Sequence, residues 1–243
     1  MRAWWAQTRA EISMTVRRGE TLLLTIGIPI ILLVFFTETN VSVTPTPERV
    51  NFFAPGIIAL CVMSTSLVAL SIATAFERTY GVLRRLHVTP LGRPRLIAAK
   101  IAGVIAVETI QVAVIAAVAG ALGWSPHGGA GAAFAAIGVL LLATAGFAGL
   151  GLALAGHLRA EVNLAAANGL YLVLLLISGF VIPVTSFPHV VQKFIVVTPS
   201  GAMADALHRS IGHGGYVGTA NLVSLALWAV AAPVIAARTF RLD

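Results

Sequence analysis

Residues 77–100 read ERTYGVLRRLHVTPLGRPRLIAAK, and this basic stretch lies between two long apolar runs of the chain. It contains six of the sixteen Lys and Arg residues in the sequence. Short basic loops of membrane proteins stay on the cytoplasmic side, so such a stretch orients the apolar runs around it. We therefore expect residues 77–100 to form a cytoplasmic loop between two membrane-spanning helices.

The composition of the whole chain indicates an integral membrane protein. Of its 243 residues, 58 % are apolar and 10 % are charged, and the mean hydropathy is +0.93. A soluble domain of this length would not tolerate that composition on its surface. The net charge of +7 could indicate nucleic-acid binding, but the basic residues lie at the ends of apolar runs and form no dense patch. We expect no nucleic-acid partner.

The apolar runs predict the number of membrane spans. Crossing a bilayer requires about 20 apolar residues, and six runs approach that length: 21–37, 52–76, 96–122, 132–156, 163–182 and 217–237. With the N-terminus inside, thirteen of the sixteen Lys and Arg residues fall in cytoplasmic segments, which predicts that both termini are cytoplasmic. The predicted fold is an all-α membrane protein with six transmembrane helices in a single domain, residues 1–243.

Two further segments are too polar or too broken to span. Residues 1–20 mix Trp4 and Trp5 with charged side chains, which predicts an amphipathic helix in the inner interface; a plain charged tail is the alternative. Residues 183–216 are partly apolar, and prolines interrupt them. This pattern predicts outer re-entrant helices between the fifth and sixth spans, with a loosely folded exterior loop as the alternative. The interrupting prolines are Pro183, Pro188 and Pro199.

Few residues are candidates for chemistry. The sequence has no glycine loop ending in Gly-Lys-Ser/Thr, so it predicts no ATP hydrolysis through that motif, and its scattered histidines predict no metal site. Glu108 is an acid in the interior of a predicted span, and Gln111 follows on the same helix. A buried acid requires a polar partner or a water-filled path, so Glu108 is either a substrate or ion contact or a hydrogen-bonded group at a helix or subunit interface.

Small residues recur at intervals of four in the fourth run, at Ala145, Gly149 and Ala153. Small side chains on one helix face allow another helix to approach closely. The spacing is compatible with a dimer interface and with internal packing, and the high Ala and Gly content favours internal packing.

Seven residues of the basic stretch follow the order E-R-x-x-G-x-L-x-x-L-x-x-T-P: Glu77, Arg78, Gly81, Leu83, Leu86, Thr89 and Pro90. This order resembles the cytoplasmic loop of ABC-2 type transporter permeases, and the arrangement of spans is similar to that family as a whole. The chain looks closest to drug-resistance members such as daunorubicin-type exporters. The resemblance implies a permease subunit in a bacterial inner membrane that exports hydrophobic or amphipathic compounds, such as drugs or lipids.

The resemblance also implies partners and site residues. Two cytoplasmic ABC ATPase subunits would bind ATP and Mg, a second identical or paralogous permease chain would complete a dimer, and this chain would be a non-enzymatic transport subunit without a cofactor of its own. Residues 77–100 would be the coupling loop, with the seven motif residues coupling to the ATPase. Glu108 and Gln111 would lie on the substrate path.

Three alternatives stay open. The chain could be a proton-coupled secondary transporter that uses Glu108, it could export a polysaccharide or lipid-linked glycan, or it could anchor an ATPase or sensor without transporting anything.

Overall fold

The computed structural model describes residues 2–17, 19–39, 49–83, 92–180 and 189–239. All regular elements within these ranges are helical, which confirms the all-α prediction. The helices are α1 (Arg2–Arg17), α2 (Gly19–Glu38), α3 (Arg49–Thr79), α4 (Gly92–Ala121), α5 (Gly129–His157), α6 (Ala160–Leu176), α7 (His189–Val197), α8 (Pro199–Leu207) and α9 (Thr219–Thr239). A π-helical segment, Ser64–Ala69, lies within α3, and a second, His208–Gly212, continues α8.

Four helices in the described residues are long and apolar enough to cross a membrane, which makes the protein multi-pass. They are α3, residues Pro94–Ala121 of α4, α5 and α9. Residues Thr25–Glu38 of α2 and the whole of α6 are apolar but shorter. At 1.5 Å per residue, the 17 residues of α6 cover about 25 Å, less than the roughly 30 Å of a hydrocarbon core. The count of six spans stays a prediction.

Helix α3 forms the centre of the bundle. It is the most buried of the four long helices, and large apolar side chains such as Ile57, Met63 and Leu67 are fully enclosed. Its 31 residues extend about 46 Å, more than a hydrocarbon core requires. The last turns of this long helix carry Glu77 and Arg78.

The basic stretch, residues 77–100, is helical at both of its ends. Helix α3 continues to Thr79, and α4 already begins at Gly92, so residues 92–100 are helical. Gly92 has a positive φ of 68°, a backbone conformation that glycine adopts without steric cost. Pro94 follows in the first turn, where a proline is tolerated because its missing N–H has no helical acceptor.

Helices α5 and α9 pack closely through glycine. A Cβ on Gly149 would overlap the backbone of Ala232 and Pro233, and one on Gly146 would lie 3.2 Å from the Cβ of Trp228. Glycine at both positions lets the two backbones approach, as small residues do in membrane helix pairs. For Gly149, the structure thus supports the internal-packing alternative.

Two short helices, α7 and α8, join at Thr198. The Thr198 side chain accepts a hydrogen bond from the Gly201 amide at 3.2 Å, and Pro199 occupies the first turn of α8, a standard helix start. The predicted break at Pro199 is confirmed, whereas Pro183 and Pro188 lie outside the described residues. Trp228 of α9 donates to the Val197 carbonyl oxygen at 2.9 Å and holds the end of α7. Whether this pair enters the membrane stays a prediction.

Candidate functional site

A buried lysine joins three helices at the end of the bundle where α3 terminates. Lys100 of α4 is 1 % exposed, and its Nζ lies 3.0 Å from Glu11 Oε1 of α1 and 2.7 Å from Glu77 Oε2 of α3. Gln7 also donates to Glu11 Oε1, at 2.8 Å. Charge-assisted hydrogen bonds of this length are strong, and pairing compensates part of the cost of burying the ammonium group. Lys100 therefore connects α1 to the carboxyl-terminal end of α3 and the amino-terminal part of α4.

Glu11, Glu77 and Lys100 form a lysine-centred triad that the sequence does not predict. In the sequence, Lys100 is a basic residue of the loop and Glu11 is part of an amphipathic helix. A signal was present, because Lys100 lies next to the apolar residues of α4 and a lysine in such a position requires a partner. The identity of that partner depends on how the helices pack.

Arg78 binds a different helix from its neighbour Glu77. Its guanidinium donates to the Leu158 carbonyl oxygen at 2.6 Å, just past the last turn of α5. A cation at the carboxyl-terminal end of a helix is favourable because the unpaired carbonyl groups there carry partial negative charge. Glu77 and Arg78 thus connect the end of α3 to α4 and α1 on one side and to α5 on the other.

The motif continues beyond α3 in a turn. Gly81 has a φ of +71°, and Leu83 is fully buried against an apolar cluster that includes Leu96 and Leu152. Tyr80, which caps the end of α3, is 72 % exposed and stacks on Phe76. Tyr80 and Leu83 are three positions apart, as on one face of a helix, but the turn at Gly81 separates them.

The remaining motif positions are Leu86, Thr89 and Pro90, and they lie outside the described residues. Within the described part, the motif residues either anchor the loop to its own subunit or shape its turn. Tyr80 and the half-exposed Val82 are the large side chains that face outward there.

Glu108 and Gln111 of α4 point to different neighbours. Thr144 of α5 donates to Glu108 Oε2, whereas Thr65, in the π-helical segment of α3, donates to Gln111 Oε1 at 3.0 Å. Both residues are buried, with exposed fractions of 5 % and 1 %. Hydrogen bonds at this depth connect helices across an otherwise apolar layer. The two residues therefore share a helix but not a site.

Glu108 also lines a cleft between α4 and α5. The cleft has a volume of about 300 Å³, and Val62 of α3 contributes to its lining. Gln111 is not among the lining residues, so of the two predicted path residues only Glu108 reaches this space. Most of the wall is aliphatic, which suits an apolar occupant.

His208 lies at the opposite end of the bundle from the lysine-centred triad. Its Nδ1 is 2.8 Å from the Ala204 carbonyl oxygen, and its Nε2 is 3.1 Å from that of Phe52 in the first turn of α3. Burial lowers the pKa of His208 below its usual value, and the two carbonyl groups oppose this effect in part. A neutral imidazole has one N–H, so it can donate to only one of the two carbonyl oxygens at a time.

Comparison with known proteins identifies the family. The family model of the ABC-2 type transporter matches residues 2–210, a stretch that runs from α1 to the π-helical segment after α8. No curated protein sequence matches the chain. The match covers both the lysine-centred triad and the cleft beside Glu108. On this evidence, the chain belongs to the ABC-2 type transporter family.

Proposed function

We propose that this chain is the permease subunit of an ATP-driven exporter that moves hydrophobic or amphipathic compounds, including drugs and lipids, out of a bacterial cell. Two copies of the permease, or this chain and a paralogue, would work with two cytoplasmic ABC ATPase subunits that bind ATP and Mg. The chain would lie in the inner membrane, with both termini and residues 77–100 facing the cytoplasm. The family match over residues 2–210 is the observation that carries the proposal.

The geometry around residues 77–83 supports a coupling role for this loop. Glu77 and Arg78 join the root of the loop to α1, α4 and α5, so a force on the loop would reach several helices at once. Such a joint suits rigid-body motion of helices driven by closure of the ATPase subunits. In this proposal, the exposed Tyr80 would contact an ATPase subunit.

The aliphatic wall of the α4–α5 cleft favours a hydrophobic cargo over a polysaccharide. A glycan requires many hydrogen-bonding groups, whereas the cleft lining is aliphatic apart from Glu108, Thr109 and Thr144. A compound is exported only when it binds the inward-open and outward-open states with different affinity. Multidrug efflux and antibiotic resistance follow from this class of cargo as part of the proposal.

The test uses the permease together with any ABC ATPase whose gene neighbours its own. We expect the two to co-purify and, in proteoliposomes, to transport a lipophilic dye only when ATP is supplied. Tyr80→Asp should weaken association and transport by about tenfold or more while the permease remains folded. Tyr216→Asp is the matched control, because Tyr216 is 99 % exposed and lies beyond α8, far along the chain from the loop.

Three outcomes would contradict the proposal. Failure of the pair to associate would exclude an ATP-driven permease, and equal effects of the two tyrosine variants would remove the coupling role from Tyr80. Stable association without transport across a broad substrate panel would indicate a membrane anchor.

A proton-coupled transporter is the second candidate, because Glu108 is a buried carboxylic acid at mid-span. It predicts that transport stops when the proton gradient is dissipated in the presence of ATP, and that Glu108→Gln also stops it.

A further inference from the structure

Helix α6 carries two asparagines that face different sides. Asn163 is buried, and its Oδ1 accepts a hydrogen bond from Ser71 of α3 at 3.0 Å. Asn168 follows five residues later, which is about 140° around the axis of an α-helix, and it is exposed. The first asparagine therefore binds inside the subunit, whereas the second points away from it.

The carboxamide of Asn168 lies in the middle of an apolar helix. Asn168 is eight positions after Ala160 and eight before Leu176, the two ends of α6. Leu164 and Leu172, one turn before and one turn after it, are exposed on the same side. The apolar composition of α6 predicts that it lies in the bilayer, where an amide without a hydrogen-bond partner is costly. This position therefore favours a covering protein surface over lipid.

Asn168 has hydrogen-bonding capacity that its own subunit does not use. Its Nδ2 donates one N–H to the Leu164 carbonyl oxygen at 2.8 Å, and no other described residue bonds to its side chain. One N–H and the Oδ1 acceptor are left over. Thr109 of α4 is also exposed, but its single hydroxyl hydrogen goes to the Ile105 carbonyl oxygen at 2.7 Å. Asn168 thus presents both a donor and an acceptor outward, whereas Thr109 donates within its own helix.

A second copy of this chain fits this arrangement. Two identical chains inserted in the same orientation carry Asn168 at the same depth, so a two-fold axis beside α6 would bring the two carboxamides together. Each remaining N–H could then donate to the Oδ1 of the other chain, as asparagine side chains do between membrane helices. Ala165 and Gly169 flank Asn168 and are exposed, and their small size would allow two α6 helices to approach closely.

We propose that α6 forms a symmetric contact between two identical permease chains, in which the two Asn168 carboxamides hydrogen-bond to each other. This proposal deepens the proposed function, since it rests on the paired permeases described there and selects an identical chain over a paralogue.

The first test measures self-association of the full permease in liposomes, without an ATPase. Energy transfer between chains labelled with donor and acceptor dyes is followed as lipid is added to dilute them. We expect wild type to associate and Asn168→Leu to associate about tenfold more weakly, because the carboxamide pair is lost. Asn168→Gln retains a carboxamide and should recover most of the association. Thr109→Val is the matched control and should equal wild type, because Thr109 donates only to its own helix.

A second pair of variants tests close approach of the helices. Gly169→Val should weaken self-association, since a side chain there would separate two α6 helices. Within the subunit, a Cβ on Gly169 meets no atom within 4 Å, so the substitution disturbs no internal packing. Gly138→Val of α5 meets no atom within 4 Å either and is the control for a helical glycine elsewhere.

Cysteine cross-linking locates the contact independently of affinity. The sequence has one cysteine, the buried Cys61, so a Cys61→Ala chain provides a cysteine-free background. In that background, Leu172→Cys should give disulfide-linked dimers when copper phenanthroline oxidises the two thiols. Leu227→Cys of α9 is the control, because Leu227 is 65 % exposed against 55 % for Leu172 but lies on a different helix.

Four results would overturn the proposal: a monomeric wild type, association only with a different permease chain, unchanged association of Asn168→Leu, or cross-linking through α9 but not α6. Because the assay contains no ATPase and no ATP, it can fail while ATP-driven transport with a paralogue succeeds. Conversely, absence of an ATPase partner would refute the proposed function and leave self-association through α6 intact.

Discussion

Replacing Lys100 by methionine should destabilise the permease more than any single surface charge change. Methionine matches the length of the lysine stem but removes the cation between Glu11 and Glu77. In the folded protein these two carboxylates are 12 % and 13 % exposed, so water can compensate for the loss only in part. Removing one partner of a buried ion pair costs about 3–5 kcal/mol. Because the carboxylates retain some contact with water, we expect a loss near 3 kcal/mol.

This loss is measurable as a shift in thermal unfolding of the purified permease. A chain of 150–250 residues loses about 2–4 °C in midpoint per kcal/mol, so Lys100→Met should unfold roughly 6–12 °C below wild type. Arg209→Met is the matched control, since the Arg209–Asp205 pair also measures 2.7 Å but Arg209 is 56 % exposed. An exposed pair contributes about 0–1 kcal/mol.

A rescue experiment separates charge burial from general damage. Adding Glu11→Gln and Glu77→Gln to Lys100→Met removes the uncompensated carboxylates, so the triple variant should recover at least half of the lost stability. The reasoning is refuted when Lys100→Met unfolds within about 2 °C of wild type, or when the triple variant is no more stable than the single one.

Two further predictions concern helix packing and pH. Gly149→Val should lower the free energy of unfolding by about 1–3 kcal/mol, because its side chain would overlap α9. Gly138→Val on the same helix is the control, because a Cβ there meets no atom within 4 Å and the variant should be close to neutral. Equal effects of the two variants in thermal unfolding would contradict the close α5–α9 packing. His208 has a lowered pKa when folded, so it binds fewer protons than in the unfolded chain between that pKa and about 6.5. Stability should therefore decrease as pH falls through this window, and His208→Gln should remove that part of the pH dependence. An unchanged pH profile in His208→Gln would contradict the assignment of this pH dependence to His208.

The helices could be predicted from the sequence where the pattern that indicates them involves only neighbouring residues. The predicted second span, 52–76, lies inside α3 (Arg49–Thr79), and Pro199 marks the start of α8 as expected. These features depend on runs of apolar side chains and on the missing N–H of proline, and both are properties of neighbouring residues.

The sequence could not predict the partners of the polar side chains. Glu11 and Lys100 are 89 positions apart, and Ser71 donates to Asn163 at a separation of 92. Which polar groups meet depends on how far each helix is rotated and shifted along its neighbour. Composition and spacing do not define that rotation, because several faces of these helices are equally apolar.

The sequence alone determines that this protein is a multi-pass helical membrane protein with a basic loop after α3. Burial in lipid requires long apolar helices whatever their arrangement. The tertiary structure decided that Lys100 completes a triad with Glu11 and Glu77, that Gly149 faces α9, and that Glu108 reaches the cleft while Gln111 does not. The physical reason is that a hydropathy pattern depends on residues that are neighbours in sequence, whereas ion pairs and close packing form between helices that only the fold brings together.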